Sequence, residues 1–318
     1  CLFDFIQAGL LDSLKTFNKV YATPIGEGDE KKRKALLQLI EPQTLRRMKS
    51  DVADLPAKIE MEDCKRIPIS ILQRRLYENM TSEYENIGDE NRGQAMLSAL
   101  HEMRKICADP LQIDPKQPSS DTPKLAWLKQ TLAQIKSRDE KVIIFTELRA
   151  IQIYLQRYLK EYFGLDVSVV NGDTASSGTG LTRQHLIDAL QKSIGFNVII
   201  MSPVAVGFGV NVQKANHVIH YTRCWNPAKE DQATDRAYRI GQEKEVFVYY
   251  PSIYSAEFET FEIKLDRLLQ NKRQLATDLL SPMQDVSANE LLSTTIQNDY
   301  VAEWDNISRN IREEQDWV

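Results

Sequence analysis

The sequence lacks the loop with which many ATP-binding proteins hold phosphate. A P-loop needs a glycine-rich turn that runs into lysine and then serine or threonine, yet none of the 13 glycines is followed by lysine. The stretch from Gly172 to Gly180 is rich in serine and threonine and predicts a turn instead. The acidic pairs that begin at Asp29, Asp89 and Asp139 lie in charged contexts, and none ends an apolar strand where it would bind Mg²⁺. We therefore expect that the chain alone does not position ATP with Mg²⁺.

The sequence also lacks the features that are typical of membrane proteins, secreted proteins and zinc-binding proteins. No stretch reaches the roughly 18 apolar residues of a membrane span, and the beginning of the chain has no basic signal segment. The four cysteines are too far apart for a metal-binding pair or a dense disulfide framework. His217 and His220 are three positions apart on a strand-like run, which points them to opposite faces. We expect a cytoplasmic (bacterial) or otherwise intracellular protein without a membrane partner, and the start at Cys1 predicts part of a longer protein.

The net charge of -5 is distributed unevenly along the chain. Residues 281–318 contain eight acidic side chains against two arginines, a balance of -6, so the remaining residues sum to +1. Basic clusters at Lys31–Lys34 and at Arg46 and Arg47 supply the local positive charge that contact with phosphate requires. For Lys31–Lys34 the alternative is a solvated helix face.

The hydrophobic pattern predicts an α/β fold with a parallel sheet. Apolar runs of strand length alternate with helical patterns, as is typical of this class. The predicted strands cover residues 142–145, 167–170, 198–201, 217–220 and 246–250. Helices are predicted over 181–191, 228–238 and 258–279, and after the first strand, where Ile151, Leu155, Tyr158, Leu159 and Tyr162 form one buried stripe.

Two polar segments carry groups that suit a phosphate chain. Residues 202–211 place a glycine-bearing loop directly after a predicted strand, where main-chain N–H groups can approach phosphate. Residues 232–242 contain Arg236 and Arg239, which the helical pattern predicts on one helix face. The alternative for these arginines is a surface ion pair between Asp235 and Arg239.

The order and spacing of these segments, with Trp225-Asn-Pro227 between them, resemble motifs V and VI of the Swi/Snf-type family of DNA-translocating ATPases. Other segments are similar in the same order, namely Leu45–Val52 with Leu55-Pro56, Met103–Pro110, Val142–Glu147 and Val170–Thr174. The resemblance covers about residues 1–280. It implies a RecA-like parallel-sheet lobe with an N-terminal helical segment and a C-terminal brace helix.

The resemblance also implies a domain organisation. Residues 1–60 would be the tail of the first motor lobe, and 61–122 a helical protrusion and linker. Residues 123–256 would form the second RecA-like motor lobe, 257–280 the brace helix, and 281–318 an acidic tail.

In the family, ATP with Mg²⁺ lies between two lobes, and the second lobe contributes arginines that stabilise charge on the transferred phosphoryl group. The resemblance implies this catalytic role for Arg236 and Arg239, with the Mg²⁺ ligands in the missing lobe. It implies ATP contacts for Gly207, Gly209, Asn211 and Gln232. For the glycines a tight turn, and for Gln232 a plain surface glutamine, remain alternatives.

The implied DNA-binding residues are Thr146, Asn171, Gly172, Thr174, Arg46 and Arg47, which would contact the DNA backbone without reading sequence. For Thr146 the alternative is capping of the helix that begins near Arg149. The expected function is the C-terminal half of an ATP-driven double-stranded-DNA translocase, which is inactive in hydrolysis without the missing P-loop lobe.

An alternative function is a protein-interaction module of a larger complex. The acidic tail contains an apolar helical stripe, Val301, Trp304, Ile307 and Ile311, which suits docking on a partner or on the chain itself. The ending Tyr249-Tyr-Pro251 and the helix that follows resemble bacterial Swi/Snf-like proteins, including some in phage-defence systems.

Overall fold

Two units make up the structure, which is a computed structural model. It describes residues 6–26, 29–43, 55–85, 92–113, 122–175, 178, 181–205, 210–279, 285–288 and 290–291. The first unit consists of residues 1–54 and 274–282, and the second consists of residues 55–273 and 283–318.

The first unit is helical in its described part. It contains α1 (Leu14–Phe17), a π-helix (Asn18–Ala22), α2 (Thr23–Gly26), α3 (Glu30–Ile40) and a 3-10 turn (Glu41–Gln43). Asp29 caps α3, because its carboxylate accepts the N–H groups of Lys31 and Lys32 at 2.9 and 3.1 Å. Lys31, Lys32 and Lys34 are exposed on α3, which agrees with the alternative of a solvated helix face.

The second unit alternates strands and helices. Its strands are β1 (Lys58–Met61), β2 (Ile67–Pro68), β3 (Lys141–Phe145), β4 (Ser168–Val170), β5 (Asn197–Met201), β6 (His217–His220), β7 (Val246–Tyr249) and β8 (Ile253–Tyr254). Its helices are α4 (Ile71–Glu85), α5 (Arg92–Ala108), α6 (Pro123–Ser137), α7 (Arg149–Phe163), α8 (Arg183–Lys192), α9 (Pro227–Thr234) and α10 (Phe261–Leu279), which continues into the residues of the first unit.

The main sheet has the strand order β1-β7-β6-β3-β5-β4, and every pair in it is parallel. The five predicted strands are therefore confirmed within a residue or two. The sequence pattern missed β1, which pairs with β7, and the predicted domain boundary at residue 60 falls inside this strand. A second, two-stranded parallel sheet joins β2 to β8.

Both faces of the sheet are covered by helices. In β3, Val142 and Ile144 pack into a core with α6 and α7, while Ile143 and Phe145 pack with α8 on the opposite face. Because successive side chains of a strand point to opposite faces, a strand with an apolar residue at each position needs a layer on both sides. The RecA-like α/β lobe predicted from the sequence is thus confirmed.

Two helix predictions differ in detail from the structure. Ile151, Leu155, Tyr158 and Leu159 are buried along α7, but Tyr162 is 45% exposed at the end of this helix, where Lys129 lies 4.2 Å from its ring centroid. The long helix α10 begins at Phe261 rather than at residue 258. Among the helices in the described ranges, none is long and apolar enough to cross a membrane.

Candidate nucleotide and DNA site

Arg236 and Arg239 lie beyond the end of α9 rather than on it. The helix ends at Thr234, and the N–H of Arg236 donates to a carbonyl only three residues earlier, at 3.1 Å. The carbonyl of Arg236 accepts the N–H of Val212 at 2.9 Å, so it does not continue a helical ladder. The prediction of one helix over residues 228–238 is therefore wrong at its C-terminal end. A tertiary hydrogen bond prevails there over local helix propensity.

Gln242 holds the turn that carries the two arginines. Its side chain is buried, and Nε2 donates to the carbonyls of Gln213, Ala215 and Ala237 at 2.9, 3.1 and 3.2 Å. The preceding Gly241 has φ +98°, a backbone conformation that favours glycine. The Gln242 side chain thus fixes the turn through main-chain carbonyls, in addition to the short-range hydrogen bonds of the turn itself.

The structure brings Arg239 and Asn211 together. The Arg239 guanidinium is exposed and its Nη1 donates to Asn211 Oδ1 at 2.7 Å. Arg236 is 8% exposed, and burial, followed by the positive charge of Arg239, lowers the pKa of its guanidinium below the ordinary value. Two neighbouring guanidinium groups with like charge form a suitable binding site for an anion.

Gln232 lies on α9 about one turn before Arg236, and its side chain is exposed. Gly207, Gly209, Arg46 and Arg47 lie outside the described residues, and their roles stay predictions.

Three of the predicted DNA-binding residues lie in one turn after β4. Asn171 Oδ1 accepts the N–H of Asp173 at 3.0 Å, and Thr174 Oγ1 accepts the N–H of Asn171 at 3.1 Å. Gly172 is exposed at the tip, with the Arg149 guanidinium next to it. These hydrogen bonds hold the turn in shape and place Gly172 and polar side chains at the carboxyl edge of the sheet, where ligands of open α/β sheets bind.

Thr146 contacts this turn indirectly, through Gln152. It is fully buried, and its hydroxyl is 2.9 Å from that of Thr222, so in this structure the hydroxyl does not face solvent. Its carbonyl accepts Gln152 Nε2 at 2.8 Å, and Gln152 Oε1 in turn accepts Asn171 Nδ2 at 2.9 Å. The N-cap residue of α7 is Leu148, and its N–H donates to the Thr146 hydroxyl at 3.3 Å.

His220, the last residue of β6, supports the end of α9. Its Nε2 is 2.8 Å from Thr234 Oγ1, and its ring stacks between Phe145 and Tyr250 with centroid distances of 5.3 and 5.0 Å. Burial lowers the pKa of His220 to about 4, so the imidazole is neutral at pH 7.

Comparisons with known proteins identify the family of this chain. The SNF2-related domain matches residues 1–112, and the helicase conserved C-terminal domain matches residues 123–241. The chain belongs to the Swi2/Snf2 family. This family falls within a superfamily of DNA-dependent ATPases and helicases.

Relatives and solved structures of the Swi2/Snf2 family align over most of the chain. Zorya protein ZorD of Escherichia coli O139:H28 (strain E24377A / ETEC) is 51% identical over 298 residues, which are 90% of this chain and 28% of ZorD. YwqA of Bacillus subtilis (strain 168) is 35% identical over 316 residues, 93% of this chain and 33% of YwqA. The Sulfolobus solfataricus SWI2/SNF2 ATPase core in complex with dsDNA superposes with a TM-score of 0.55 at 28% identity, covering 87% of this chain and 58% of that chain. This Swi2/Snf2 chain thus spans about a third or less of the length of these two bacterial relatives.

Buried ion pairs that the sequence pattern did not indicate fix α9 of the Swi2/Snf2 lobe. Arg223 Nε and Nη2 donate to the two carboxylate oxygens of Glu230 at 2.8 and 2.9 Å. Arg273 of α10 also donates to Glu230, at 2.7 Å, and it pairs with Asp231 at 2.8 Å. Burial opposes ionisation of Glu230, but the charge of Arg223 prevails and lowers the pKa of this carboxyl to about 2. These ion pairs tie the brace helix to the helix that leads to the arginines.

Gln152, Arg183 and Gln242 are further site residues that sequence reasoning missed. Arg183 and Gln242 donate to main-chain carbonyls that are distant in sequence, such as Ala205 O for Arg183, and Gln152 accepts a hydrogen bond from the remote Asn171 side chain. No local sequence pattern identifies these distant partners, although a glycine such as Gly241 beside Gln242 is typical of a turn.

Proposed function

We propose that this chain is the C-terminal half of an ATP-driven motor that moves along double-stranded DNA. The observation that best supports the proposal is the arginine pair, in which Arg239 is held by Asn211 and its charge lowers the pKa of Arg236. A triphosphate between the two guanidinium groups would relieve their repulsion, and planar guanidinium groups hold two phosphate oxygens in a fixed orientation.

In this proposal ATP with Mg²⁺ is delivered by a P-loop lobe that this chain does not contain. The nucleotide supplies the phosphoryl group that is transferred to water. Arg236 and Arg239 then bind the oxygens on which negative charge develops, and Asn211 keeps Arg239 oriented towards them. Within the described ranges, no group of three acidic, histidine or cysteine side chains is arranged to hold a metal ion. We assign the Mg²⁺ ligands to the P-loop lobe, as the family resemblance implies.

The DNA contact in this proposal is the turn Asn171–Thr174. The dsDNA in the complex of the Sulfolobus solfataricus relative supports DNA as the ligand. In this proposal the exposed tip of the turn at Gly172 lies against the DNA backbone and reads no bases, which suits a motor that moves along any sequence. Thr146 contributes indirectly here, because its carbonyl and Gln152 hold Asn171 in place.

A charged substitution at Gly172 tests the DNA contact directly. A Cβ added there meets only the flexible end of Arg149, at 4.0 Å, so the turn accepts a side chain. We expect Gly172→Glu to weaken binding to a double-stranded oligonucleotide about fivefold at low salt, from about 1 kcal/mol of repulsion between unit charges about 4 Å apart in water. The neutral control of the same size, Gly172→Gln, should bind more tightly than Gly172→Glu, and the difference should shrink at high salt. Equal affinities for the two variants at low salt would remove this turn from the DNA interface.

The proposal also predicts that the purified chain does not hydrolyse ATP, with or without DNA. Robust hydrolysis by the chain alone would contradict the assignment of the phosphate loop to another lobe. The alternative role as an interaction module depends on residues 281–318, most of which lie outside the described residues, and it stays a prediction. The similarity to Zorya protein ZorD is the comparison that bears on the predicted phage-defence setting.

A further inference from the structure

An apolar groove lies between the helices α4 and α5 of the second unit. It encloses a cavity of about 470 Å³, with Ala99 and Ile106 of α5 buried at its base and Leu76 and Met80 of α4 half-buried above them. None of the residues that line it belongs to the nucleotide or DNA site. An apolar groove between two helices suits the apolar face of a third helix.

The described part of the acidic tail already packs on the core at the base of this groove. Val286 and Leu291 are buried in the same apolar cluster as the two base residues of α5. The N–H of Val286 donates to Trp225 O at 2.7 Å, and Glu290 pairs with Lys272 of α10 at 3.0 Å. The tail is therefore anchored on its own chain up to Leu291.

A capping box marks the beginning of a helix in this anchored part. The N–H of Ser287 donates to Glu290 Oε2 at 2.7 Å, and the N–H of Glu290 donates to Ser287 Oγ at 3.2 Å. Residues 290 and 291 are helical. The tail thus continues from Leu291 in a direction that starts on the core of the groove.

Ten residues beyond Leu291, the tail carries the apolar stripe Val301, Trp304, Ile307 and Ile311, which lies outside the described residues. As a helix this stripe is about 15 Å long, and the lining of the groove along α5, from residue 95 to 106, is about 16 Å long. The intervening residues 292–300 reach about 30 Å when extended, more than the whole length of α5, about 25 Å. The stripe therefore matches the groove in length and can reach it.

Charge agrees with this occupant. Glu83 of α4 and Glu102 of α5 line the groove beside its apolar base. Arg312 directly follows Ile311 in the tail, so a helix seated by its stripe carries this cation at the border of the groove, where it can pair with a carboxylate. The anchor at Leu291 also gives the stripe a high effective concentration at the groove, which favours it over a separate partner.

We propose that residues 301–311 dock as a helix in the groove between α4 and α5 of the same chain. The acidic tail is then an intramolecular docking element that covers an apolar surface of its own lobe. This inference does not depend on the motor function proposed above.

Limited proteolysis of the full chain with trypsin tests the docking. Arg309 and Arg312 are the only basic residues after Arg273, so mass spectrometry reads tail cleavage from the loss of the C-terminal peptides. Trp304→Ser should raise the cleavage rate about tenfold or more, because cleavage follows the population with an undocked tail and a buried tryptophan contributes strongly to such contacts. Trp317→Ser is the matched control outside the stripe and should keep the wild-type rate.

A substitution in the groove tests the site from the other side. Ala95→Glu puts a charge into the groove and should raise tail cleavage by a similar factor. Leu97→Glu, at a side chain on the same helix that is 55% exposed, should leave the rate unchanged. The melting temperature of both variants is measured beside the cleavage rate.

A disulfide gives a second readout that does not depend on the folding of Ala95→Glu. In a Cys1→Ser background, Ser98→Cys at the groove together with Ser308→Cys in the tail should form a disulfide under mild oxidation. Leu97→Cys with Ser308→Cys should form far less.

The other outcomes overturn the inference in different ways. Wild-type cleavage as fast as that of Trp304→Ser would show that the tail is not docked. Acceleration by Trp304→Ser without acceleration by Ala95→Glu, and without the disulfide at residue 98, would remove this groove as the site. A wild-type rate that falls as the protein concentration rises would assign the groove to the tail of a second copy. Each of these results would leave the proposed function intact.

Discussion

Protonation of His220 should destabilise the fold in mild acid. In the unfolded chain this histidine has the ordinary pKa of 6.5, whereas burial lowers the pKa to about 4 in the folded chain. Between these values the unfolded chain binds the proton and the folded chain does not, so the free energy of unfolding falls as pH decreases. The contribution is fully present above pH 6.5 and is lost as pH falls towards 4.

The magnitude follows from this shift. Linkage between the two pKa values gives a loss of about 2 kcal/mol between pH 7 and pH 5 and about 3 kcal/mol in all. The structure supplies the cause, because the ring lies between Phe145 and Tyr250, and Nδ1 is buried without a hydrogen-bond acceptor among the described residues. A proton on both nitrogens would leave that N–H unsatisfied.

Urea denaturation of the purified chain at pH 7 and pH 5 measures this effect. His220→Gln keeps a donor and an acceptor but cannot titrate, so its free energy of unfolding should fall by about 2 kcal/mol less than that of wild type between the two pH values. The exposed His101→Gln is the matched control and should follow wild type. Equal losses of stability in His220→Gln and wild type over this interval would contradict the role assigned to His220.

Two further predictions concern stability at neutral pH. Leu155→Ala should lower the free energy of unfolding by about 2–5 kcal/mol because it leaves a cavity in the core. On the same helix, Ile153→Ala should cost far less, since Ile153 is 50% exposed, and similar losses for both variants in urea denaturation would contradict this packing. Glu230→Gln should cost about 3–5 kcal/mol, because it leaves Arg223 and Arg273 without their shared buried carboxylate. Glu243→Gln, at a side chain that is 82% exposed, is the control, and a loss below about 1 kcal/mol for Glu230→Gln would show that the ion pairs do not stabilise α9.

The strands of the central sheet were predictable because their burial is visible in the sequence. A strand such as β3, with an apolar residue at nearly every position, belongs inside a sheet that is covered on both faces. The edge strand β1 (Lys58–Met61) was not predictable in the same way. It alternates charged and apolar residues, and its partner β7 is remote along the chain.

The sequence predicts which segments form the candidate site, but it does not predict how their residues are arranged in space. The order of the motifs indicated Asn171–Thr174 and the arginine pair, whereas the helix predicted around Arg236 ends at Thr234. The cause is the hydrogen bond from Val212, which no local pattern contains. Gln152 and Arg183 were missed for the same reason, because the fold brings their partners Asn171 and Ala205 near.

Arg239 is proposed to act on a nucleotide that another lobe delivers. Its most direct test is DNA-stimulated ATP hydrolysis by the two-lobed protein with Arg239→Ala, beside the exposed control Arg157→Ala. We expect kcat to fall about 10³-fold or more, as for arginines that stabilise phosphoryl transfer, while DNA affinity and the melting temperature stay unchanged. A kcat within about twofold of wild type, with the protein folded and DNA bound, would contradict the account.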